Sequence, residues 1–257
     1  MSQIKQSFSW WCYADKGVAP RELLTAAANI GYSAVEMIEP ELWSMAQDLG
    51  LEIATINGHH SMNDGLNRPE NADRIEQELR CNIDLAVEKN VGALICFSGQ
   101  RNGMEDLDGL KNCADTLKRI TPYAEEAGVS LFMELLNSKV NHKDYQGDHS
   151  AWGAELCHQV ASPNFRILYD IYHMQIMEGD LIRNIREFHP CLGHYHTAGN
   201  PGRGPIGENQ EINYPAVFRA IAETGYEGYI GHEFIPVENP IAELETAYRI
   251  CEEALRL

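Results

Sequence analysis

The chain is short of basic residues, has no paired cysteines, and contains no apolar run near the roughly 20 residues that cross a bilayer. Lys and Arg number 20 against 38 Asp and Glu, giving a net charge of −18 over 257 residues. Binding a polyanion needs clustered cations to displace counterions from phosphate, so this balance argues against a nucleic-acid partner. The acidity reads as a solvated surface, and it leaves room for a small anion held by one or two local basic groups. No membrane partner is expected. The seven cysteines are dispersed, odd in number and without a Cys-x-x-Cys pair. They predict free buried thiols in a reducing cytoplasm, not a disulfide framework. The first residues carry neither the basic nor the apolar region of a signal peptide. Also missing is a Gly-x-Gly-x-x-Gly turn after the first strand, the mark of a doubly wound dinucleotide fold.

What is present is alternation. Hydrophobic residues make up 44% and charged residues 23%, enough for a substantial core. Strands are expected at 4–13, 33–38, 51–57, 91–97, 129–135, 166–171, 192–197 and 226–233. Helices are expected at 20–28, 41–49, 69–90, 107–127, 150–160, 181–188, 214–223 and 241–255. Pro20 opens the first helix and Gly31 stops it. The long helix from Pro69 to Asn90 sets Ile75, Leu79, Ile83 and Val87 on one face. Eight strand–helix units with short connections and no linker predict an α/β fold, a single (β/α)8 TIM barrel over residues 1–257. A doubly wound open sheet is the alternative.

Four strand-like runs in the second half each end in a metal-binding residue: Val129 to Glu134, Phe165 to Asp170, Leu192 to His196, and Tyr229 to Glu233. In a barrel the active site forms where strands end and the following loops begin. Glu134, Asp170, His196 and Glu233 are therefore expected to meet and bind one divalent metal ion. Hard oxygens with one imidazole suit Mn²⁺, Mg²⁺, Co²⁺ or Zn²⁺. Taken singly, a carboxylate at a strand end is often a helix N-cap, and a lone histidine is more often structural than a ligand.

The flanking sequence carries a resemblance. Met133-Glu-Leu-Leu-Asn137, Tyr169-Asp-Ile-Tyr-His-Met-Gln-Ile-Met-Glu-Gly-Asp180, His194-Tyr-His-Thr-Ala-Gly-Asn-Pro-Gly-Arg203, Glu211-Ile-Asn-Tyr214 and Gly231-His-Glu-Phe234 resemble the hydroxypyruvate isomerase family. That family belongs to the xylose isomerase-like TIM barrels, alongside ketose 3-epimerases and the endonuclease IV type. The resemblance runs from the first helix to the last and is densest between strands five and eight. It implies that Glu134, Asp170, His196 and Glu233 bind the metal, with Glu134 and Glu233 also acting as acid–base catalysts. It further implies that His173 and Arg203 contact substrate oxygens. At the position of His196 the ketose 3-epimerases carry His, whereas hydroxypyruvate isomerases often carry Gln. The loop from Lys139 to His149, with two His and two Asp, differs from the Gly-rich form of the family.

The chemistry implied is isomerisation of a small hydroxy-carbonyl compound, family-typically hydroxypyruvate to tartronate semialdehyde. A proton is removed beside a carbonyl to give an enediolate, which a Lewis-acidic metal stabilises. Two carboxylates on opposite faces take and return the proton. A ketose 3-epimerase or other sugar isomerase would use the same ligands, and a barrel that binds a sugar without turnover is a third reading. An apurinic endonuclease is disfavoured by the charge. Homo-oligomers are common among such enzymes.

Some residues carry weaker expectations. His173 is expected to point into the site from a loop, and Arg203 to clamp a carboxylate or hydroxyls or else to pair with the protein's own acids. Trp10 and Trp11, consecutive on strand one, should face opposite ways. His194, two residues before His196, should share its side and orient a ligand. Glu36 has at most a pocket role, and His59 and His60 read as core or loop.

Overall fold

The computed structural model describes residues 4–256. These form two compact units: one takes in the chain through Ala54, Asp180–Glu187 and the chain from Tyr195; the other takes in Thr55–Gly179 and Phe188–His194.

In the first unit β1 (Lys5–Ser9), β2 (Ala34–Glu36) and β3 (Glu52–Ile53) alternate with α1 (Pro20–Ile30) and α2 (Trp43–Asp48). In the second unit β4 (Thr55–Asn57), β5 (Ala93–Cys96), β6 (Ser130–Glu134) and β7 (Phe165–Asp170) alternate with α3 (Ala72–Lys89), α4 (Asp106–Ala127) and α5 (Ser150–Val160). After β7 come α6 (Ile171–Met177) and α7 (Leu181–Phe188), then β8 (Leu192–Thr197), α8 (Tyr214–Glu223), β9 (Tyr229–His232) and α9 (Pro240–Leu255). The first unit pairs β2 with β3 and β1, β1 with β9, and β9 with the end of β8. The second pairs β4 with β5, β5 with β6, and β6 with β7. All of these pairings are parallel.

Eight strands are expected and nine are found among the described residues, because the run 51–57 is interrupted at Ala54: β3 pairs with β2, while β4 pairs with β5. Strand one ends at Ser9, and Trp10–Cys12 form a 3-10 turn. Trp10 is buried and Trp11 is 46% exposed. The two indoles do diverge, but through this turn and not through strand alternation. α6 lies outside the expected elements. In α3 the buried stripe is Ile75, Leu79, Ile83 and Ala86, and Val87 is exposed. A step of three after two steps of four keeps the stripe on one face of a helix with 3.6 residues per turn. Asn90 ends that helix in the left-handed region, at φ 59°, which an asparagine tolerates better than most residues.

The first unit packs around aromatic rings. Phe8 meets Tyr13 and Tyr32 edge-on at 5.6 and 5.5 Å, and Tyr13 meets Phe234 at 5.6 Å. Such edge-to-face pairs are favoured by the ring quadrupoles, by about 0.5–1.5 kcal/mol beyond burial. Six of the seven cysteines are buried and none is in a disulfide, whereas Cys81, expected buried, is exposed. Among the described residues no helix is long and apolar enough to cross a membrane.

Candidate metal centre

The candidate ligands stand at or just past carboxyl ends of strands. In the second unit, Glu134 is the last residue of β6 and Asp170 the last of β7. In the first, His196 lies near the end of β8 and Glu233 follows β9 directly. All four are nearly withdrawn from solvent, at 5%, 0%, 0% and 3% exposure respectively.

In the second unit β6 and β7 are direct neighbours, with Glu134 opposite Leu168 in the ladder. The backbone carbonyl of Glu134 accepts a hydrogen bond from the buried Tyr145 hydroxyl at 3.1 Å, which fixes the end of β6. Asp170 is the N-cap of α6: its Oδ1 accepts from the backbone N–H of His173 at 3.0 Å. The capping role that any strand-end aspartate can play is therefore real here and occupies one oxygen. The other, Oδ2, lies 3.7 Å from Nε2 of His173. His173 is fully buried in the first turn of α6, a correction to its expected place on a loop. Its Nδ1 accepts from the backbone N–H of Asn137 at 3.1 Å.

In the first unit His196 and Glu233 lie side by side, with Nδ1 of His196 3.2 Å from Oε2 of Glu233. Trp11 donates its indole N–H to Oε1 of Glu233 at 2.9 Å. The Arg203 guanidinium pairs with Oε2 of Glu233 and reaches its backbone carbonyl at 3.4 Å, while its carbon lies over the Trp11 ring at 5.1 Å. Arg203 sits in a turn at φ 58°, after Gly202 at φ 94°, so left-handed backbone turns its side chain back toward β9. Burial pushes the Glu233 carboxyl up, but His196, Arg203 and the Trp11 hydrogen bond together hold it well below the usual carboxylate range. Arg203 thus pairs with the protein's own carboxylate, Glu233.

Two residues make contacts that the sequence reading does not assign, although it allows Glu36 a pocket role. One is Trp11 as a hydrogen-bond donor to Glu233. The other is Glu36, fully buried at the end of β2, whose Oε2 lies 3.0 Å from Nε2 of His196. Glu36 carries the same signal that singled out the four ligands, an acid ending a short apolar strand. His194, expected to orient a ligand, stacks its ring on Phe132 at 5.6 Å. His232 is tied between Thr197 and Gln6 at 2.8 and 2.9 Å, and burial holds it at about 3. His59 is buried, as a core residue should be, and His60 is exposed.

Comparison with known proteins places the chain in a class. The family described as "Xylose isomerase-like TIM barrel" matches residues 24–252. A solved structure titled L-ribulose 3-epimerase superposes with a TM-score of 0.82 at 19% identity, over 98% of this chain and 95% of that one, which shows the shared fold. A Danio rerio protein named "Putative hydroxypyruvate isomerase" is 31% identical over 91% of both chains. A Pectobacterium atrosepticum protein named 2-oxo-tetronate isomerase is 26% identical over 82% of this chain and 84% of its own. The chain belongs to the xylose isomerase-like TIM barrels and, within them, to the hydroxypyruvate isomerase family. The fold is thus the barrel and not the doubly wound sheet.

Proposed function

We propose that the chain is a metal-dependent isomerase of a small hydroxy-carbonyl acid, converting hydroxypyruvate to tartronate semialdehyde, and that it works as one barrel domain. The observation that carries this reading is the donor set, three buried carboxylates and one buried imidazole at consecutive strand ends, in a chain of the hydroxypyruvate isomerase family. The set fits a hard divalent ion. Several buried carboxylates are costly together unless a cation neutralises them, and oxygen with imidazole is a usual environment for Mn²⁺, Mg²⁺, Co²⁺ or Zn²⁺. Glu134, Asp170, His196 and Glu233 would hold it, because a barrel gathers the carboxyl ends of its strands at one face. When bound, the ion supplies a Lewis acid for the negative charge that develops on substrate oxygens.

The chain's own residues supply the rest. Glu233 is ionised at working pH and its carboxylate is aimed by Trp11 and Arg203. A carboxylate held so low is a weak base, so its effectiveness rests on position. It would take the proton from carbon three of the substrate, Glu134, protonated at the outset, would return one to carbon two, and the carbon-three hydroxyl proton would pass to the oxygen on carbon two. His173 and Arg203 would contact substrate oxygens. A second reading, a ketose 3-epimerase, is favoured by His196 and returns the proton to the same carbon on its other face.

The test is turnover of hydroxypyruvate, 2-oxo-tetronates, tetroses and ketohexoses with added Mn²⁺ or Mg²⁺. Hydroxypyruvate turnover is expected. Ketohexose turnover alone, with solvent exchange confined to carbon three, moves the assignment to the epimerase. Glu134→Gln and Glu233→Gln should each keep the fold and lower kcat by at least roughly 10²-fold, the scale of general acid–base catalysis. Near-normal kcat in either variant removes the two-glutamate scheme.

A further inference from the structure

The ladder register of the first unit places His196 opposite Gly231, Gly231 opposite Ser7, and Ser7 opposite Ala34. Across four neighbouring strands the row therefore runs His, Gly, Ser, Ala. Three small residues beside one imidazole leave a trough over β9, β1 and β2. Glu36 stands two residues beyond Ala34, so it projects to the same side of the sheet. Its carboxylate lies back along that trough to His196, with Oε2 3.0 Å from Nε2. Ser7, fully buried, donates its hydroxyl to the other oxygen, Oε1. Gly231 is the residue that permits this. A Cβ there would lie 2.8 Å from Cδ2 of His196 and closer still to Oε1 of Glu36, inside any normal contact.

We propose that Glu36 is the positioning residue for His196: its carboxylate accepts the Nε2–H of the imidazole, leaving Nδ1, on the side of Glu233, as the nitrogen that binds the ion. An imidazole presents one donor and one acceptor nitrogen when neutral. Which nitrogen binds metal is set by the partner of the other. A carboxylate at Nε2 selects that tautomer, locks the ring plane and raises the basicity of Nδ1. Ser7 serves the same end one step further out, because its hydroxyl leaves Oε2 as the oxygen that faces the ring. The inference rests on the proposal that His196 is a ligand, and it adds how the ring is held.

Mn²⁺ binding to the full chain, followed by calorimetry, tests it, with folding of each variant checked by circular dichroism. Glu36→Ala should bind Mn²⁺ about 10- to 100-fold more weakly than the wild type, the usual loss for a residue behind a metal ligand. Glu36→Gln keeps an oxygen for Nε2–H and should recover most of that loss. An affinity within twofold of wild type in Glu36→Ala overturns the proposal, as does a Glu36→Gln variant no better than Glu36→Ala. Should Glu36→Ala fail to fold, ¹⁵N-histidine spectra of Zn²⁺-loaded wild type decide alone. Zinc at Nδ1 with a proton on Nε2 supports the proposal; zinc at Nε2 overturns it. If the wild type binds neither ion, the metal reading itself falls and takes this inference with it. Binding by the wild type with an unaffected Glu36→Ala removes only the role of Glu36.

Discussion

Trp11→Phe separates the electrostatic part of the Glu233 environment from its packing. The substitution keeps an aromatic ring beside Arg203 and deletes one donor, the indole N–H that reaches Oε1 of Glu233 at 2.9 Å. A hydrogen bond to a charged acceptor contributes about 1.5–3 kcal/mol when buried. Trp11 is 46% exposed, so solvent partly replaces the lost bond, and about 1–1.5 kcal/mol is the appropriate figure. At about 1.4 kcal/mol per pH unit, the Glu233 carboxyl should rise by about one unit. The direction follows because the bond stabilises only the ionised form. A carboxyl held down in the folded state contributes stability above its unfolded pKa and loses it as pH falls through the folded one. Trp11→Phe should therefore be less stable than wild type at neutral pH by about 1 kcal/mol, and the difference should vanish in acid. The assay is urea unfolding of the two metal-free proteins from neutral pH into acid. Trp11→Phe should have the lower urea midpoint at neutral pH, and the gap should close as pH falls. A gap that does not change with pH refutes the reasoning and leaves Trp11 as a packing residue.

Two further predictions concern the scaffold. His59 accepts a hydrogen bond from the Phe97 backbone N–H at Nε2, 3.0 Å away, and burial lowers it from 6.5 to about 4. A histidine held neutral contributes stability above its unfolded pKa and loses it as pH falls, so wild type should lose up to about 3 kcal/mol between pH 6.5 and about 4 from this group. His59→Gln, whose amide oxygen can accept the same bond, should lack that component in urea midpoints; an unchanged pH slope removes His59 as its source. Gly231→Ala should cost about 1–3 kcal/mol as an overpacked site and weaken Mn²⁺ binding. Gly92→Ala, where an added Cβ meets nothing within 4 Å, should leave both unchanged. Equal effects at the two glycines would mean that the trough around Glu36 has no special role.

The residues that the sequence made legible share one property: local pattern alone places them. Glu134 and Asp170 each end a run of alternating or apolar residues that forms a strand as expected, and the parallel barrel then fixes where such an end faces. Trp10 and Trp11 misled because consecutive aromatics favour strands, yet the chain leaves the ladder at Ser9, the residue opposite Glu36. α6 was hidden for a related reason. With seven residues it is too short for a helical period to register, and its start signal, Asp170, is also a candidate ligand. The cap takes one carboxylate oxygen of Asp170 and leaves the second for the proposed ligand role.

The contact of Glu36 with His196 is out of reach for a different reason, although the residue itself is legible as an acid ending a strand, and it shows where sequence reasoning stops at a site of this kind. Its strand is three residues long and its partner lies 160 positions away. No periodicity connects them. The link runs through register: Gly231 and Ser7 matter because they stand in the row between β2 and β8, and a slip of one residue in either strand would turn every side chain in it to the other face. A ligand can be found from the end of its own strand. The group that orients it can be found only once the strands between them are aligned, which makes small residues in a shared row the signal to seek.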